Sequence, residues 1–148
     1  MKAWRISNYA DLSGVGGRYS AGRWNQLGQL IVYCADHPAL ALLEILVHVD
    51  AADLPENYQL LEISIPDESI AEPAELPLDW ASDFAVSRNA FENFCLAVDA
   101  PVLKVPSAIV PHCSNLLINP AHPKAGAITI LSALRQPFYA RYYDKRFQ

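Results

Sequence analysis

Apolar and polar positions along the chain alternate between two rhythms, and the stretch that organises the rest is LIVYCADHPALALLEILVHV, residues 30 to 49. Leu30 to Ala35 is short, branched and aromatic, which predicts a buried strand. Asp36, His37 and Pro38 then supply a capping residue and a proline suited to a first helical turn, so the strand feeds a helix. From Ala39 to Val47 every residue except Glu44 is apolar. A helix apolar all round is expected to be buried. An ionised carboxylate in the middle of it costs several kcal/mol, on the order of the burial penalty of one ion, unless something compensates it. Two readings of Glu44 stand side by side: a structural ion pair with an arginine, or a catalytic carboxylate, because active sites tolerate such costs.

Elsewhere the pattern predicts further strands. Ala3 to Ile6 is one, carrying Arg5, and Tyr58 to Ile65 another, with Leu61, Ile63 and Ile65 on one face. Asn115 to Asn119 is a third, closed by Pro120, and Phe138 to Phe147 alternates aromatics with charges as a closing strand. Leu103 to Val110 reads as two strand pieces broken at Pro106, with Ser107 at the break, either presented into a cleft or bonding its own backbone. Ser87 to Val98 sets Phe91, Phe94, Cys95 and Val98 on one helical stripe, as core packing requires, and Asp99 to Pro101 ends that helix. Ser13 to Arg23 is a glycine-rich loop. It has neither GxGxxG nor GK[ST], which removes the dinucleotide-fold and P-loop readings, yet its backbone N–H groups and Arg23 suit an anionic ligand as well as they suit a plain surface loop. Pro66 to Trp80 is a long proline- and acid-rich connection to which no chemistry is assigned.

Composition narrows the classes. At 148 residues and 16.4 kDa the chain is expected to be a single domain, residues 1–148, and 52% hydrophobic with 18% charged residues describes a globular chain. A net charge of −5 with no basic block argues against direct nucleic-acid binding and against an anionic membrane surface. No apolar run reaches the length of a membrane helix, and three cysteines without CxxC spacing point to reduced thiols, so a soluble, cytoplasmic protein is expected. His112, Cys113 and His122 lack any zinc-ligand frame, so no metal is expected, and Ser107 has no GxSxG elbow.

Arg23 in GRWNxxG, Tyr33 ten positions on, Glu44 eleven further and Ser107 in VPSAIVP occur in the order of the RES-domain family, which this chain resembles over most of its length; WRIS, ALLEILVHV and NLLINPAHP also resemble family blocks. The resemblance implies an α+β fold like that of ADP-ribosyltransferases, with two small packed β-sheets and flanking helices. It implies a toxin of a bacterial toxin–antitoxin pair, a partner antitoxin of the Xre helix-turn-helix type, and a homodimer within a larger complex. It also implies NAD+ as substrate, cleaved at the nicotinamide–ribose bond by hydrolysis or phosphorolysis; the alternatives are ADP-ribosyl transfer to a protein, or a non-catalytic partner-binding module. The residue types suit that chemistry. Cleavage builds positive charge on the ribose, which a carboxylate such as Glu44 stabilises. Tyr33 offers a stacking face for nicotinamide, Arg23 and Arg5 offer guanidinium forks for the pyrophosphate, and Ser107 a hydrogen bond to ribose or amide. Leu42 stands where arginine-modifying transferases carry an acidic or amide residue, which leans away from arginine as acceptor.

Overall fold

A computed structural model describes residues 1–49, 57–72 and 75–135. The strands are β1 (Lys2–Ser7), β2 (Val32–Ala35), β3 (Gln59–Ser64), β4 (Ile70–Ala71), β5 (Val102–Pro106), β6 (Ser114–Ile118) and β7 (Thr129–Arg135); the helices are α1 (Gly16–Tyr19), α2 (Pro38–Leu46) and α3 (Phe84–Ala97). The strands lie in the order β4-β5-β6-β2-β1-β3-β7, antiparallel at every junction except β4 with β5. The class is α+β, and the two expected sheets are the two halves of one hydrogen-bonded sheet. A single register pair, Trp4 with Ala35, joins β1 to β2, whereas β1 and β3 are paired from Lys2–Ser64 to Ser7–Gln59.

Period-two alternation explains how the halves pack. Val32, Cys34, Val102, Leu116 and Ile118 from one half share a buried cluster with Ala3, Leu61 and Ile63 from the other. Each fully buried side chain of this kind contributes roughly 1.5–3 kcal/mol relative to exposure. The alternate residues Leu103, Val105 and Leu117 face the other way and pack with Phe91 and Phe94 of α3 and with Trp24. α2 lies on the sheet through Leu40 and Ala41, against Ala35, Trp4 and Ile6.

Several local expectations are corrected. α2 is not buried all round: Leu43 and Val47 are 43% and 60% exposed, because a nine-residue helix on a sheet covers only one of its faces. Its cap is His37, whose Nδ1 accepts from the Ala39 N–H at 3.1 Å, with Pro38 as first helical residue. Asp36 instead accepts from the Ser114 N–H at 2.8 Å and donates its own N–H to the Ser114 carbonyl at 3.0 Å, extending the β2–β6 ladder. Residues 107–110 form a turn and not a strand piece, since Ser107 Oγ accepts from both the Ile109 and Val110 N–H groups. The glycine-rich loop contains the short α1. Val98 does not pack in the stripe of α3; it is the left-handed C-cap (φ 55°) and half exposed. The segment 138–147 lies outside the described residues.

Candidate active site

The cleft is a cavity of about 900 Å³ whose walls include Trp4 and Arg5 of β1, the glycine-rich loop from Gly16 to Asn25, Tyr33 of β2, Glu44 of α2, and Asn115 of β6. Arg5, Arg23, Tyr33 and Glu44 all reach it, and Ser107 reaches it through Glu44. Strand alternation puts Tyr33 and Ala35 on the face away from Cys34, and the turn at Asp36 and His37 carries α2 back so that Glu44 overlooks the same space.

Glu44 is half buried, and among the described residues no cation pairs with it. Its compensation is two neutral donors on one oxygen: Oε1 accepts from Asn115 Nδ2 at 2.8 Å and from Ser107 Oγ at 3.2 Å. The structural ion pair with an arginine is therefore absent among these residues. Ser107 unites the two readings of it. Its oxygen is filled by the Ile109 and Val110 N–H groups, both at 3.1 Å, so its single proton is directed at Glu44.

Tyr33 is pinned by its hydroxyl. The oxygen accepts from the Trp24 N–H at 3.1 Å and its proton goes to Asn25 Oδ1 at 2.8 Å, which fixes the ring at the cavity wall. Burial pushes the phenol up to about 12, against weaker opposing effects of those backbone contacts and of Arg88 and Arg23. Asn25 also accepts from the Gly22 N–H at 2.9 Å and donates to the carbonyls of Ser20 and Gln26. It shapes the loop. A Cβ at Gly22 would lie 2.6 Å from the Tyr33 hydroxyl, and one at Gly17 only 2.0 Å from the Gln29 carbonyl, so close approach of backbone explains both glycines.

Arg23 donates from Nη1 to the Ala81 carbonyl at 2.5 Å, and its guanidinium lies 4.5 Å from the Phe84 ring centre and 5.9 Å from that of Trp80. Arg88 donates to the Gly22 carbonyl at 2.8 Å and also stacks on Phe84. The Arg5 Nε is buried and without a hydrogen-bond partner among the described residues, which leaves a cationic donor at the cavity wall unspent. Arg23, Tyr33 and Glu44 thus do not form one polar network: each is held by a different set of neighbours around a shared space.

Three further residues at the site, Asn25, Arg88 and Asn115, are not singled out by the sequence pattern. Asn25 stands inside the quoted GRWN motif and is legible there; Asn115 carries one weak signal, an amide directly ahead of the apolar run Leu116 to Ile118.

A family model described as the RES domain matches residues 2–139. The chain is 44% identical over 133 residues to a Pseudomonas putida protein named Toxin Res, covering 88% of this chain and 92% of that protein. It is 44% identical over 138 residues to a Sphingobium protein named Prs ADP-ribosylating toxin, covering 84% and 86% respectively. In three dimensions it is similar to a chain of the M. tuberculosis MbcT–MbcA toxin–antitoxin complex, with a TM-score of 0.72 over 90% of this chain and 82% of that one; at 19% identity the likeness is one of fold.

Proposed function

Because the chain belongs to the RES domain family, we propose that its cleft binds NAD+ and breaks the nicotinamide–ribose bond, and that the chain acts as the toxin of a bacterial toxin–antitoxin pair. The observation that carries this reading is Glu44: a carboxylate held at a cavity wall by two neutral donors on Oε1, with no hydrogen bond to Oε2 among the described residues. A purely structural carboxylate in such a place is expected to take a cation, and this one takes neutral donors alone among the described residues.

In the reaction, the C1′–N bond breaks with its electron pair leaving on nicotinamide, and the ribose becomes oxocarbenium-like. Glu44 stabilises that charge. Water then adds at C1′ and releases a proton, giving ADP-ribose, or phosphate adds to give the phosphorylated sugar. The Tyr33 ring, immobilised through its hydroxyl, supplies the stacking wall for nicotinamide, and Arg5 and Arg23 the guanidinium groups for the pyrophosphate. Ser107 acts through Glu44, in addition to any bond it offers the substrate. About 900 Å³ lies at the upper end of the ~300–1,000 Å³ typical of small-molecule sites, as an extended dinucleotide requires.

A second reading, transfer of ADP-ribose to a protein, is supported by the name of the Sphingobium relative. Incubating the purified chain with NAD+ tests both. Nicotinamide with ADP-ribose, or with its phosphorylated form when phosphate is present, supports cleavage; a mass increase on a bacterial protein supports transfer; no nicotinamide release at all overturns both. The partner is an antitoxin of the Xre helix-turn-helix type, supported by the toxin–antitoxin complex whose fold this chain shares and by a charge of −5, which leaves DNA binding to the partner. The site of action is the cytoplasm, where NAD+ is held.

A further inference from the structure

The strand β6 places a polar amide where the sheet offers no reason for one. Asn115 lies in the middle of the four-stranded half, opposite Ala35 on β2 and Val105 on β5, and is 8% exposed. Asn is disfavoured in strands, and a buried amide costs free energy unless it is bonded. Alternation puts its side chain on the face shared with Leu117, and there it lines the cavity. Its Nδ2 meets Glu44 Oε1 at 2.8 Å, the shortest hydrogen bond that carboxylate makes among the described residues.

The surrounding backbone makes this contact rigid from both ends. Asp36, two residues before α2, and Ser114, just before Asn115, exchange two hydrogen bonds of 2.8 and 3.0 Å. The start of the helix bearing Glu44 is thereby locked to the strand bearing Asn115. Ser107 approaches the same oxygen from the turn after β5.

We infer that Asn115 is a positioning residue: it fixes Glu44 through Oε1, so that Oε2 is the oxygen presented to substrate. The kinetic part of this inference rests on the NAD+ reading of the cleft; the hydrogen bond itself does not. Because Asn115 acts through Glu44, its loss lowers the rate of the chemical step and leaves substrate affinity in place.

The test combines kinetics with a spectroscopic signature. Asn115→Leu, close in size but without a donor, is expected to lower kcat for NAD+ cleavage about ten- to a hundredfold with KM changed less than about threefold. Asn115→Ala, smaller and without donor or charge, serves as the second variant should the Leu side chain not be accommodated, and loses kcat for the same reason. In a Glu44→Gln background Asn115→Leu should add little, because both changes disable one unit. Wild-type kcat in the Asn115 variants, or full additivity in the double variant, overturns the inference. Independently of turnover, the Asn115 side-chain amide protons should show one signal displaced far downfield by the carboxylate, collapsing to an ordinary position in Glu44→Leu. A wild-type chain that releases no nicotinamide defeats the functional reading, and this amide signal then decides alone: an unperturbed pair that ignores Glu44→Leu overturns the positioning role.

Discussion

Replacing Tyr33 by phenylalanine removes one oxygen and two hydrogen bonds, and what it leaves behind sets the size of the effect. Asn25 Oδ1 keeps a donor in the Gly22 N–H, but the N–H of Trp24, a residue 1% exposed, loses its acceptor. One orphaned buried N–H costs ~1–3 kcal/mol. In a chain of this length each kcal/mol lowers Tm by roughly 2–4 °C, so Tyr33→Phe is expected to melt about 4–8 °C below wild type near neutral pH. The same hydroxyl gives the prediction a second, independent handle. Burial raises its pKa from 10.0 to about 12, so the unfolded chain loses this proton first. The stability it contributes is complete below about pH 10 and disappears as pH rises towards 12; at about pH 11 roughly 1.4 kcal/mol is gone. The phenylalanine variant has no such proton to lose. Cys34 and Cys95, pushed up by burial to about 12 and about 11, erode both proteins alike and cancel in the difference. The gap between wild type and Tyr33→Phe should therefore shrink with pH, and with a urea m-value of ~1–3 kcal/mol/M the two midpoints draw together by about 0.5–1 M between about pH 8 and pH 11. Equal midpoints at pH 8, or a gap that stays constant to pH 11, would refute the account of how the Tyr33 ring is held.

Glu44→Gln should leave the melting temperature near wild type and reduce NAD+ cleavage on the order of a hundredfold or more, since it keeps the shape and removes the charge; wild-type turnover would move catalysis elsewhere. Arg23→Ala should weaken apparent NAD+ affinity and turnover together, and should also lower stability through loss of the Ala81 carbonyl contact and the Phe84 stacking; an unchanged KM would transfer the pyrophosphate to Arg5. Gly22→Ala places a Cβ 2.6 Å from the Tyr33 hydroxyl and should cost ~1–3 kcal/mol in thermal melts, whereas Gly16→Ala, with nothing within 4 Å, serves as a tolerated control. Expressed alone, the chain should arrest bacterial growth as NAD+ falls, co-expression of its antitoxin should restore growth, and DNA retention by the pair should require the antitoxin; harmless expression of folded protein counts against the toxin reading.

What was legible in the sequence was whatever local chemistry fixes. The strand expected over Leu30 to Ala35, observed over Val32 to Ala35, the Pro38 start of α2, and the buried row of Leu61, Ile63 and Ile65 along and just past β3 follow from branching, φ restriction and period two. Burial all round α2 was not legible, because hydrophobicity states which residues tolerate burial and not how much partner surface exists to bury them. Leu43 and Val47 satisfy the pattern and remain exposed. The residues 107 to 110 look like a strand because Ile109 and Val110 are branched; Ser107 overrides that preference by capping both of their N–H groups. At the site, residues whose type announces chemistry could be placed in advance. Asn115 could not, since its role exists only once β6 is set beside α2, some seventy residues distant in sequence.

The position of the cleft follows from the weakest point in the sheet. β1 and β2 share one register pair, Trp4 with Ala35, and residues of both halves, Leu61 and Leu116 among them, share one buried cluster. Both members of that joining pair line the cavity. The opening must then be walled by elements that cannot be regular strand: a loop rich in glycine because Gly17 and Gly22 sit against a carbonyl and a hydroxyl, and a helix too short to bury its whole circumference. Those are the elements that carry Arg23 and Glu44. Asn115 and Ser107 hold the carboxylate there by hydrogen bonds alone, without bringing a cation to it, which is the arrangement that the proposed stabilisation of an electron-deficient ribose requires.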